Sequence, residues 1–103
     1  MRVFAVTYHR WFRLPNDPDE KDCEIIIVGK YNSLFEAEKI AKDCAEKDHD
    51  TIFTITLWDD EHSIESIGTL NIDLYQVFYN KDDDCIYKVE HAYGMKQPIY
   101  IKL

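Results

Sequence analysis

Carboxylates recur two residues apart along this chain: positions 17/19, 20/22, 22/24, 48/50, 59/61 and 82/84 are all Asp or Glu. In extended backbone such pairs project to one side at roughly 6.5 to 7 Å, of the order of the spacing between successive phosphates on a nucleic-acid strand. A row of them on loops can occupy a cationic groove built for a phosphate backbone. The acids this reading selects are Asp17, Asp19, Glu20 and Asp22 in a first loop, Asp59, Asp60 and Glu61 in a second, and Asp82, Asp83 and Asp84 in a third. To act as one surface, the 59–61 and 82–84 turns must share an end or flank of the fold. The plain alternative is that clustered acids make such pairs by chance and serve solubility.

Other chemistries find less support. Of the four histidines, His9, His49, His62 and His91, two fall on expected strands. His9 or His91 beside a carboxylate would be the general base of a small enzyme, a reading kept as an alternative. Ser33 is committed to a helix cap, Ser63 and Ser66 lie in no nucleophile elbow, and Gly29, Gly68 and Gly94 are too scattered to cradle a phosphate. Asp59-Asp60-Glu61-His62 and Asp82-Asp83-Asp84-Cys85 group metal-ligating types. An EF-hand counted from Asp17, however, would need Gly at position 22 and Glu at position 28, where Asp22 and Val28 stand. No catalytic residue, metal or cofactor is expected.

The chain has 20 acidic against 12 basic residues among 103, a net charge of -8, which disfavours direct contact with nucleic acid or anionic lipid. A basic protein partner is the natural complement. Cys23, Cys44 and Cys85 form neither a disulfide framework nor a zinc half-site, and no apolar run approaches a membrane span. Together with the lack of a signal peptide, this points to a cytoplasmic protein with reduced thiols, Cys44 buried and Cys23 and Cys85 more accessible. In size and charge the chain is similar to small acidic virus-encoded inhibitors of host defence nucleases, a likeness of composition that carries no residue over.

The elements that must position the acids follow from periodicity. Residues 3–13 alternate as a strand, with Phe4, Val6, Tyr8 and Phe12 on one side and Val3, Ala5, Thr7, His9 and Trp11 on the other. Leu14 to Asp22, with two prolines and many acids, is expected as a solvated turn or loop. Cys23 to Tyr31 follows as a strand whose Ile25-Ile26-Ile27-Val28 run is expected to be buried on both faces. Ser33-Leu34-Phe35-Glu36 is a capping box opening a helix to about Lys47. Its apolar stripe is Leu34, Ala37, Ile40, Ala41 and Cys44, with Glu38 and Lys42 paired on the wet side. Thr51 to Trp58 is a β-branched strand leading through Asp59–His62 into residues 64–70, which fit strand or helix. Leu74 to Tyr79 and Cys85 to His91 flank an Asn80–Asp84 turn, and Pro98 to Leu103 suits an edge strand.

These elements predict a single α+β domain, a mostly antiparallel sheet of five to seven strands with one amphipathic helix on one face. One helix leaves the other face to explain. Trp11 and the alternating Tyr75, Tyr79, Tyr87 and Tyr93 would suit a homodimer interface there, the rival to the acidic surface. The expected function is a non-enzymatic acidic binding protein, a nucleic-acid mimic that inhibits a basic, nucleic-acid-binding partner.

Overall fold

The structure, a computed structural model, describes residues 2–59, 70–90 and 97–103. Six strands and one helix follow in chain order: β1 (Arg2–Leu14), β2 (Asp17–Tyr31), α1 (Leu34–Lys47), β3 (Phe53–Asp59), β4 (Leu70–Asn80), β5 (Cys85–Glu90) and β6 (Ile99–Lys102). They form an α+β fold, one antiparallel sheet in the order β2-β1-β3-β4-β5-β6 with α1 packed on one face. Because β2 and β3 both pair with β1, the chain leaves the outer strand β2, crosses the sheet through α1 and returns on the far side of β1. Expectations for residues 60–69 and 91–96 lie outside the described residues.

The helix begins as its sequence dictates. Ser33 Oγ accepts the Glu36 N–H at 3.1 Å, satisfying one of the donors a helix N-terminus leaves unpaired. The buried stripe is Ala37, Ala41 and Ala45, one small side chain per turn, which lets α1 lie close over Val6, Ile55 and Val77. Ile40 and Cys44 border it, whereas Leu34 is exposed, so the buried face is rotated toward Ala45 relative to the expected stripe. Cys44 is half-buried, and so are Cys23 and Cys85, contrary to the expected contrast among the thiols. Glu38 is not on a wet face paired with Lys42. It accepts the Tyr75 phenol at 2.8 Å and meets Lys88 Nζ at 3.3 Å, while Lys88 also lies over the Tyr75 ring.

Alternation in β1 works as expected under the helix: Phe4, Val6 and Tyr8 face the core, and Ala5 and Thr7 lie on the opposite face. Tyr75 and Tyr79 also join the helix-side core, so they are absent from the face where an aromatic interface was expected.

Two expectations about β2 are overturned. Residues 14–22 are not one loop: Leu14 pairs with Asp17 across a two-residue turn, and the ladder resumes at Arg13 with Lys21. The Ile25–Val28 run is not buried on both faces, because β2 is the outermost strand; Ile25 is 62% exposed and Ile27 44%. Val28 is an extra residue between the Val6–Gly29 and Thr7–Ile27 pairs, a β-bulge. Gly29 follows it, and the Tyr31 phenol lies where a Cβ at that position would stand.

Candidate acidic surface

Each strand, and α1 between β2 and β3, traverses the length of the sheet, so successive connections fall at alternate ends. The β1–β2 turn, the α1–β3 connection and the β4–β5 turn all fall at one end, here the hairpin end, while β3 leaves the sheet at the other. Asp17, Asp19, Glu20 and Asp22 therefore share an end with Asp82, Asp83 and Asp84. Asp59 does not. It is the last residue of β3, only 4% exposed, and its Oδ2 accepts from Arg2 Nε at 3.2 Å. It is an internal anchor between β3 and β1, so the requirement that the second and third acidic segments share one end fails for Asp59. Asp60 and Glu61 lie outside the described residues.

At the tip of the first hairpin, residues 18–20 are extra residues in the register, and the Asp19 N–H donates to Asp17 Oδ1 at 3.2 Å. All four acids of this segment are exposed. The hairpin also projects: β1 last pairs with β3 at Tyr8, and His9 to Leu14 continue beyond it as a two-stranded ribbon for roughly 20 Å. Trp11, 65% exposed, and Ile25 lie on the side of this ribbon away from α1, and Arg10 pairs with Glu24 at 2.8 Å on the other.

The β4–β5 turn is built differently. Asp84 adopts a left-handed backbone with φ 57°, a conformation Asp tolerates better than most residues. Its Oδ1 accepts the Tyr79 phenol at 2.5 Å, and Asp83 accepts the Tyr87 phenol. These bonds to carboxylates push both phenol pKa values up, since losing the proton would place two anions side by side. Asp82 is exposed, with no hydrogen bond or ion pair from its carboxylate among the described residues.

Two further acids, Asp48 and Asp50, join this end. Asp48 caps the α1–β3 connection, accepting from the Asp50 N–H and from Thr51 Oγ1 at 2.6 Å. Asp50 meets Lys81 of the β4–β5 turn at 3.7 Å, tying the two connections together. Their spacing is visible in the sequence, but the signal that places them is the direction of α1, which runs from the β2 end toward the hairpin end. His49 stacks on Tyr79 at 3.6 Å between ring centroids.

For the enzyme alternative, His9 lines a cavity of about 320 Å³ together with Asp50, Trp11, Thr54 and Gln76. No hydrogen bond or ion pair joins His9 to Asp50, and His91 lies outside the described residues. Among the described residues no three His, Cys, Asp or Glu side chains converge as metal ligands, and no helix is long and apolar enough to cross a membrane. No family model, curated protein or solved structure matches the chain.

Proposed function

We propose that this is a non-enzymatic acidic binding protein that presents its hairpin end to a basic protein partner. By occupying the partner's nucleic-acid site it acts as an inhibitor. The observation that carries the reading is the gathering of Asp17, Asp19, Glu20, Asp22 and Asp82–Asp84 at one end of the sheet, where Asp48 and Asp50 add to the same field. Exposed carboxylates speed encounter with a cationic surface and make the contact salt-sensitive. A cytoplasmic setting fits three unpaired thiols.

A symmetric dimer through the face away from α1 is the second reading, favoured by the exposure of Trp11, Ile25 and Ile27 on that side. Ionic strength separates the two. A basic partner captured on immobilised protein leaves as salt rises, whereas a dimer buried through Trp11 keeps twice the 12.3 kDa chain mass at any salt. Partner retention unaffected by salt would count against the acidic surface.

A further inference from the structure

We infer that the outer edge of β2, from Lys21 to Ile27, takes an extended basic segment of the partner protein as an added strand. This inference rests on the basic-partner reading above and specifies how that partner is held. Among the described residues no strand lies beyond β2. The Cys23 N–H donates to the exposed Asp22 carboxylate at 2.8 Å, which sets it on the outer side. Main-chain groups alternate sides along an antiparallel strand, so with Cys23 facing outward the same phase turns Lys21, Ile25 and Ile27 outward and Asp22, Glu24 and Ile26 toward their partners in β1. An edge of this length with exposed isoleucines is a template for another strand.

The side chains of that stretch are sorted by face. Asp22 and Glu24 pair with Phe12 and Arg10 on the α1 side, and Cys23, Ile25 and Ile27 pair with Trp11, His9 and Thr7 on the other. The complementary strand alternates lysine or arginine with apolar residues, its apolar side chains against Ile25 and Ile27. Its cations lie against Asp22, whose second oxygen is left over from the Cys23 bond, and against Glu24 in competition with Arg10. Asp17, Asp19 and Glu20 extend the negative field past one end of the edge.

A second copy fits this edge poorly. Within Lys21 to Ile27 a two-fold at Glu24 would set that carboxylate against its own copy, and one centred further along the isoleucine run would meet the bulge at Val28, beyond which the faces change phase. A chain of charge -8 is also repelled by its own kind. The acids and the bulge thus guard the edge against self-pairing while leaving it open to a basic strand.

The test uses a dye-labelled octapeptide alternating lysine and valine, and two analogues of it, one N-methylated at the valines and one at the lysines. Binding to the full chain is read by fluorescence polarisation at low ionic strength. Because only one set of peptide amides faces β2, one analogue should lose about tenfold or more in affinity and the other should bind like the parent. The Ile25→Pro variant, which removes an outward N–H and leaves the β1 ladder intact, should weaken the parent peptide to a similar degree. Equal, salt-sensitive binding of all three peptides would overturn strand addition and leave the acidic surface standing. No binding of any of them at low salt would remove the basic-partner reading as well. Chain mass that doubles with concentration in wild type and in Trp11→Ala, but not in Ile25→Pro, would assign the edge to a second copy instead.

Discussion

The two halves of β1 carry the same alternation and meet different fates. From Phe4 to Tyr8 the strand lies between β2 and β3 with α1 above it, and Ala5 and Val6 are fully buried. From His9 to Leu14 it pairs only with β2, and Trp11 and Phe12 stay exposed. The difference is neighbours rather than composition: a two-stranded ribbon has no second layer against which to bury a face. Stability is concentrated where α1 meets β1, β3 and β4, and the ribbon is left free for contact with something else.

Substitutions should expose that contrast. Ile55→Ala, at a fully buried side chain beneath α1, should cost about 2–5 kcal/mol in urea unfolding. Ala41→Leu should cost about 1–3 kcal/mol, because the helix lies too close to the sheet for a larger side chain. Ser33→Ala, which removes the helix cap, should cost about 1 kcal/mol. Ile25→Ala on the ribbon side should change stability by less than about 0.5 kcal/mol. A loss at Ile25 comparable to that at Ile55 would erase the distinction between the two regions.

The pH dependence of stability sharpens the same comparison, since one coupled group sits under the helix. Burial, then the hydrogen bond to Glu38, hold the Tyr75 phenol well above its ordinary pKa of 10.0. Tyr75 keeps its proton in the folded chain at a pH where the unfolded chain loses it. The folded state therefore binds more protons, and stability falls as pH rises above about 10. Tyr75→Phe should flatten that alkaline decline in denaturation midpoints, and an unchanged slope would show that Tyr75 is not its source. On the helix flank, burial and Asp43 raise the Cys44 thiol against the lowering effect of Lys47. Mass-spectrometric alkylation near pH 8 should accordingly label Cys44 more slowly than an ordinary exposed thiol.

Much of the fold is legible because its signals are local. The Ser33 cap, the β-branched run of β3 and the polar turn after Asn80 each encode their own element. Strand order is not local. Ile25–Val28 reads as a central strand because four consecutive apolar residues normally need cover on both faces, and nothing within the run says that β1 will take the inner position. Asp59 reads as a turn acid from its neighbours in sequence, but β3 extends one residue further and Arg2 takes its carboxylate. The gathering of the first and third acidic segments depends on α1: three strands in a plain meander would set the β4–β5 turn opposite the first hairpin, and the added traversal by α1 brings both to one end.

Competition tests the central claim most directly. A partner captured at low salt is loaded with labelled nucleic acid and titrated with wild type, with Asp82→Asn, Asp83→Asn and Asp84→Asn combined, and with Asp17→Asn, Asp19→Asn, Glu20→Gln and Asp22→Asn combined. Wild type should displace the nucleic acid, less so as salt rises, and both variants should lose potency clearly while remaining folded. Equal potency of all three proteins, or no displacement by wild type at any ionic strength, would contradict it.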